Sequence, residues 1–306
     1  MTGCFANGNK DQGDIQIKGG KATMFERRYV QADGIATHYL EAGDGPTLVL
    51  VHGGGPGADA EGNWQDCIEQ YAKVFHVIAV DMPGFGQTER PSPDAYNYGQ
   101  SGRNRHLIAF IEAIAGGRPV HLIGNSMGGA TSLGVAIHRP DLVDKLVLMG
   151  AAGLDIANPD KDSRKGLTGY DYTLEGMRRL VTTLAGPNYA MPEALLRHRY
   201  ELTMLAGARE ATTAIHEHTL LDKMTYPPEL IATIQAPTLV VGGKIDKIAV
   251  LARTYGYLDL IPNSWGFILP HVAHWAMMEA PVEFVAVTTA FLRDDMFLAP
   301  QITPAA

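Results

Sequence analysis

Six short runs of branched apolar residues recur along the chain: TLVLVHGG, VFHVIAVD, PVHLIGNS, KLVLMGAAG, PTLVVGGKID and GFILPHVAHW. Each ends in a loop, and stretches of helical character lie between them. Almost every position in a run is apolar, whereas a strand with one wet face would alternate. Such strands need cover on both sides, and the intervening helices supply it. The reading is therefore α/β, a mostly parallel, doubly wound sheet. Ligands in such sheets bind beyond the carboxyl ends of the strands, so the loops that follow the strands are where chemistry is sought.

The chain of 306 residues suits one large domain with an insertion. The strand rhythm fails between residues 156 and 228, where DYTLEGMRRLVTTLAG and PEALLRHRYELTMLAGARE read as helices. Residues 156–228 are expected to form a helical lid over a core made of residues 22–155 and 229–297. Residues 1–21 are polar and glycine-rich without an apolar signal-like segment, and are expected to be a flexible tail. The formal net charge of -8, with no basic stripe, argues against a nucleic-acid or anionic-membrane partner. No apolar run approaches the ~18 residues of a membrane span. The two cysteines, Cys4 and Cys67, form no C-x-x-C pair and no Cys/His cluster. They read as free thiols of a cytoplasmic protein, without a disulfide framework or a zinc site.

The sharpest motif is HLIGNSMGGA. An apolar strand, a Gly124-Asn125-Ser126-Met127-Gly128 turn and a helical stretch form a nucleophile elbow of the G-x-S-x-G type. The glycines leave room for a sharp turn, and the helix start aims backbone N–H groups at a developing anion. Ser126 is the candidate nucleophile; an incidental serine in a strand-helix turn is the bland alternative. A serine hydroxyl needs a base. In chains with this elbow the acid and the histidine follow in that order. Asp246, after PTLVVGG, and His274, in GFILPHVAHW, fit. His271 competes as base, and Asp222 and Glu279 compete less well as acid. His52, His76 and His121 lie within or beside earlier strands and read as structural. The HGGGPG loop, His52 to Gly57, follows an early strand and matches an oxyanion-hole loop. Gly54 and Met127 are expected to donate the two N–H groups. No G-K-[ST] follows these glycines, so a phosphate-binding reading fails.

At this level of detail the chain resembles the meta-cleavage product hydrolases, serine-type α/β-hydrolases that cut carbon–carbon bonds. The resemblance runs from about Phe25 to Leu292. It rests on HGGGPGA followed by GNW, GNSMGGAT, LVLMG, GGKIDK and HVAHWAMME. GYDYTLEGM and SWGFILPH are similar to the branch that acts on carbazole, dibenzofuran or biphenyl pathways. The resemblance implies an α/β-hydrolase fold and a 2-hydroxy-6-oxo-hexa-2,4-dienoate substrate carrying an aryl or alkyl group at C6. It implies no metal or organic cofactor, and a homodimer or larger homo-oligomer. Carried over by position, it makes Ser126, Asp246 and His274 a triad and Gly54 and Met127 an oxyanion hole. Gly53, Gly55, Asn63, Asn125, Arg199 and Trp275 become substrate-binding residues. Two positions depart from the family pattern. Ile245 stands where many relatives have a second acid, and Ala273 replaces the usual glycine before the histidine.

Arg199 also stands out without the resemblance. On a helical wheel it falls within the apolar stripe of Leu195, Leu196, Leu202 and Ala206. A charge there needs a partner, either an acid of the core or a substrate carboxylate. Two other functions fit the same residues. One is a carboxylesterase or lactonase using this triad on a C–O bond. The other is a non-catalytic ligand-binding protein of the same fold.

Overall fold

The structure is a computed structural model that describes residues 25–160, 162 and 169–297. The expected tail, residues 1–21, lies outside the described residues, as do Cys4 and residues 161 and 163–168 of the expected lid.

Eight strands form one sheet in the order β1-β2-β4-β3-β5-β6-β7-β8. They are β1 (Glu26–Ala32), β2 (Ile35–Ala42), β3 (Thr47–Val51), β4 (His76–Val80), β5 (Val120–Asn125), β6 (Val143–Met149), β7 (Thr238–Gly243) and β8 (Ser264–Leu269). From β4 to β8 every pairing is parallel. The six parallel strands are the six apolar runs. The first two strands pair antiparallel, β1 on β2 and β2 on β4. They were not among the apolar runs because β1 keeps most of its side chains partly or fully in water.

The side chains show why the parallel strands read as unbroken apolar runs. Leu48, Leu50, Ile123, Val147, Met149, Leu239 and Val241 point into one core. Val49, Val51, Leu122, Leu146, Leu148 and Val240 point into the other. The first core is completed by α1 (Ala60–Tyr71), through Trp64, and by α10 (Pro281–Leu292), through Phe284 and Phe291. The second takes Leu107 and Phe110 from α2 (Gln100–Ala115), Leu133 from α3 (Met127–His138) and Tyr257 from α8 (Leu251–Leu260).

Between β6 and β7 lie α4 (Leu174–Leu184), α5 (Glu193–Leu202), α6 (Ala208–Leu221) and α7 (Pro228–Ile231). One further turn, α9 (Ala276–Glu279), precedes α10. Thr173 starts α4 by accepting from the Gly176 amide at 2.9 Å. Met177, Leu180, Val181 and Leu184 then form its buried stripe. The second helical stretch is shorter than the sequence suggests. It ends at Leu202, and a new helix starts at Ala208 behind Gly207, which takes the left-handed region at φ 74° and so keeps the two from joining. Ala206 is therefore not on the helix that carries Arg199. At its neck the insertion is clasped: Gly153 bridges Thr225, and the Tyr226 amide donates to the Gly153 carbonyl at 2.7 Å. No described helix is long and apolar enough to cross a membrane.

Helix α3 sits almost against β3. A Cβ built on Gly128 would lie 2.3 Å from the Val51 carbonyl oxygen and 2.5 Å from that of His52. Both contacts are backbone, so neither can swing away. Gly128→Ala should cost about 1–3 kcal/mol, the usual range for overpacking. A thermal melt should show a lower Tm; an unchanged Tm would mean the helix can lift without penalty.

Candidate active site

Ser126 caps α3 at φ 53° and ψ -113°, a conformation that L-residues rarely adopt. Its amide donates to the Met149 carbonyl at 3.0 Å, and its own carbonyl accepts from Ala130 and Ala152. These bonds hold the strained turn from three directions. Gly124 is required: its Cβ would meet the Gly128 carbonyl oxygen at 2.4 Å and Ser132 Oγ at 2.5 Å. Ser126 itself is half-buried among fully buried neighbours. Met127 is the first residue of α3, where helix geometry leaves the N–H without an intrahelical acceptor.

Asp246 and His274 are bonded, Oδ2 to Nδ1 at 2.8 Å, with both side chains almost fully buried. Asp246 Oδ1 accepts from the amides of Ile248 and Ala249 at 2.7 and 2.9 Å. Burial pushes this carboxyl upward, but the imidazole and the two amides outweigh it and hold it below its ordinary value. An ionised Asp246 assigns the proton to Nδ1 and leaves Nε2 as an acceptor. His271 is exposed. Asp222 is occupied elsewhere, accepting from Asn97 and from the amide and hydroxyl of Ser101 in the first turn of α2. His52 is buried and holds the glycine loop. Its Nδ1 donates to the Gly53 carbonyl at 2.7 Å, and its Nε2 accepts from the Met82 amide at 3.0 Å. Burial lowers its pKa.

The four glycines of the HGGGPG loop face candidate residues of the elbow and of α5. A Cβ on Gly53 would lie 2.6 Å from Asn125 Oδ1 and 3.3 Å from Ser126 Cβ. One on Gly54 would lie 3.2 Å from Met127 Sδ, and one on Gly55 3.7 Å from Arg199 Nη2. On Gly57, at φ 69°, it would overlap the Arg199 carbonyl oxygen at 1.9 Å. The loop thus lies against the elbow on one side and α5 on the other.

Arg199 is buried, and its Nε has no hydrogen-bond partner among the described residues. Its guanidinium carbon lies 5.3 Å from the centre of the buried Trp275 ring. Burial drives its pKa down to about 10, opposed by Asp59, Tyr170 and Tyr189, so it stays charged at neutral pH. Asn63, in the first turn of α1, is buried with Oδ1 unpartnered. Asn125 has a mixed role, satisfying loop backbone groups with one end of its amide. Its Nδ2 donates to the carbonyls of Met149 and His274 at 3.1 and 3.2 Å, which ties the elbow to the histidine loop. Its Oδ1 is left without a partner. A cleft of about 810 Å³ opens beside these loops, bounded by Val181, Gly186, Met191, Leu196, Ile245 and Ala273.

One cluster escaped the sequence reading. Asp59, Glu61 and His198 bring ligand-type atoms within 4.8 Å of one another, all buried. Their carboxylates are matched within the protein, and of their buried side-chain atoms only His198 Nδ1 is left without a partner among the described residues. His198 Nε2 pairs with Asp59 Oδ2 at 2.7 Å, Asp59 Oδ1 caps α1 through the Gly62 amide, and Glu61 pairs with Arg27. The cluster is an ion-pair network that fastens α5 to α1.

The α/β-hydrolase fold family model matches residues 46–281. A 2-hydroxy-6-oxo-6-(2'-aminophenyl)hexa-2,4-dienoic acid hydrolase of Metapseudomonas resinovorans is 43% identical over 281 residues, covering 90% of this chain and 94% of that protein. The crystal structure of CarC, a serine hydrolase involved in carbazole degradation, has a TM-score of 0.80 at 42% identity. That match covers 88% of this chain and 99% of the CarC chain. The meta-cleavage product hydrolase CumD of Pseudomonas fluorescens IP01, solved with acetates, has a TM-score of 0.81 at 29% identity, covering 88% and 98%. The chain belongs to the α/β-hydrolase fold family and, within it, to the meta-cleavage product hydrolases.

The His198 network has a pH signature. Burial opposes the imidazolium, but Asp59, Glu61 and Asp81 raise the pKa above the ordinary 6.5. A raised value in the fold contributes stability that is complete below 6.5 and is lost as pH rises through the folded-state value. The Tm deficit of His198→Gln should therefore be largest at acidic pH and shrink as pH rises. Melts across that range test this; a deficit constant with pH would assign the effect to packing.

Proposed function

We propose that this protein hydrolyses the C5–C6 bond of a 2-hydroxy-6-oxo-hexa-2,4-dienoate bearing an aryl group on C6. The products are 2-hydroxypenta-2,4-dienoate and an aromatic carboxylic acid. The observation that carries the reading is Arg199. It is a buried cation whose Nε lacks a partner among the described residues, beside a glycine loop whose other end touches Ser126. A buried guanidinium calls for an anion, and a planar carboxylate suits its fork. A neutral ester offers none. Trp275 supplies an apolar wall beside that cation, and the free oxygens of Asn63 and Asn125 can accept from the 2-hydroxyl end.

The chemistry follows from the substrate. In the dienol the bond to be broken joins two conjugated carbons. Moving the 2-hydroxyl proton to C5 gives a 2,6-diketone with a tetrahedral C5. Arg199 holds the adjacent carboxylate through this step. Ser126, or a water it positions, adds to C6 as His274 Nε2 takes the proton, and Asp246 stabilises the imidazolium. The amides of Gly54 and Met127 receive the charge on the C6 oxygen. When C5–C6 breaks, its electron pair passes through C4 and C3 to the 2-oxo oxygen, which is reprotonated. Water supplies the hydroxyl of the released acid. Residues 156–228 act as the lid, and the chain works in the cytoplasm as a homodimer or larger assembly without a cofactor.

Turnover is followed as loss of the coloured dienolate. Ser126→Ala should abolish it in folded protein. Arg199→Gln should lower kcat/KM for the dienoate by ~10–150-fold, matching a charged hydrogen bond of roughly 1.5–3 kcal/mol. Neutral aryl esters should be largely spared. An equal fall for both substrates would make Arg199 structural. Ester turnover without dienoate turnover in the unmodified protein would select the esterase reading.

A further inference from the structure

Glu279 ends the single turn that follows the histidine loop, and its carboxylate reaches backward. Oε2 accepts from the Ala273 amide at 2.9 Å, and Oε1 accepts from the Trp275 amide at 2.9 Å. The carboxylate therefore straddles His274. The His274 amide, between these two, donates to the Leu184 carbonyl at the end of α4. The His274 carbonyl accepts from Asn125 Nδ2. Three consecutive amides and one carbonyl around the candidate base are thus pinned, two of them by a charge-assisted bond stronger than a neutral one.

The same carboxylate also reaches the helical insertion. Oε2 accepts from the Gly186 amide at 3.0 Å, two residues beyond α4. A side chain at residue 186 would prevent this approach, since its Cβ would lie 2.7 Å from Oε2. Gly186 and Ala273 both border the 810 Å³ cleft. A change in the seating of α4 therefore pulls on the peptide units on both sides of His274.

We propose that Glu279 is a positioning residue that holds His274 in register with Asp246 and couples that register to the seating of the helical insertion. The proposal rests on the reading of His274 as the base. Its structural part is measurable without substrate, because the Nδ1 proton shared with Asp246 has a far-downfield proton resonance. In Glu279→Ala that resonance should shift or broaden. With dienoate, kcat should fall about 10²-fold, the scale of a small misplacement of a catalytic group, while KM changes less than about threefold. Glu279→Gln keeps one acceptor oxygen and should recover part of the loss.

Gly186→Ala tests the coupling from the insertion's side: its methyl would displace Oε2 of Glu279 and reach the Ala273 side chain only at an ordinary contact distance of 3.6 Å. It should perturb the same resonance and lower kcat in the same direction. Combined with Glu279→Ala it should add little, as expected for two changes that break one contact. Thermal melts keep the comparison among folded proteins. A Glu279→Ala protein with an unchanged resonance overturns the proposal, whether or not kcat falls. So does Gly186→Ala that leaves both resonance and kcat intact. A wild-type protein that shows the resonance but no dienoate turnover would fail the proposed function, and the resonance comparison would still decide the role of Glu279.

Discussion

Main chain lying directly on main chain is the constraint from which the site is built. Gly128 puts α3 on β3, Gly57 puts the early loop on the carbonyl of Arg199, and Gly243 puts the end of β7 on the carbonyls of Val272 and Ala273. A methyl group at any of these would force backbone apart. With the spaces closed, Ser126 can stay in a conformation that costs on the order of 1–3 kcal/mol, since its neighbours leave no room for relaxation. Ser126, the glycine loop, Arg199 and the histidine loop are thus held by packing that carries no chemistry of its own.

Helix α5 then treats two adjacent cations in opposite ways. His198 faces inward and is matched at once by Asp59, with Glu61 behind it. Arg199 is equally buried, yet its Nε is unpartnered and its nearest acid acts only through space. Breaking a buried pair is costly, and so is an unmatched buried charge. The paired histidine anchors the helix, and the neighbouring guanidinium rests on the Trp275 ring without a bonded acid among the described residues.

The parallel half of the sheet was legible because two-faced burial makes a strand apolar throughout. Strands β1 and β2 were not, since edge strand β1 is mostly wet, and β2, though mostly buried, interrupts its apolar residues with Thr37, His38 and Glu41. The elbow, the glycine loop and the Asp246–His274 pair could be located because each sits directly after a strand. The break at Gly207 was missed because apolar spacing continues through it, while only the backbone conformation shows the stop. Asp59 and His198 lie 139 residues apart in sequence, and no local pattern links them. Glu279 was set aside because it follows the histidine. Chain order is a guide to the acid of a triad, but it says nothing about a carboxylate that grips amides. Ligand contact at Asn125 was implied only by the family resemblance; its amide nitrogen is committed to two carbonyls, while Oδ1 has no partner among the described residues.

The clasp at Gly153, Thr225 and Tyr226 has a consequence for how the molecule can vary. It brings the two ends of the helical insertion together before they enter the sheet. Closing a loop at its base makes the entropic cost of extra length grow only slowly. The exposed turns between its helices can therefore vary in length with little effect on strand order, while the buried faces of α4 and α5 belong to the core. What the insertion cannot do freely is shift where it touches down, at α5 on the glycine loop and at Gly186 on Glu279. The shape of the cleft is open to change, while the distance from cleft to nucleophile is not.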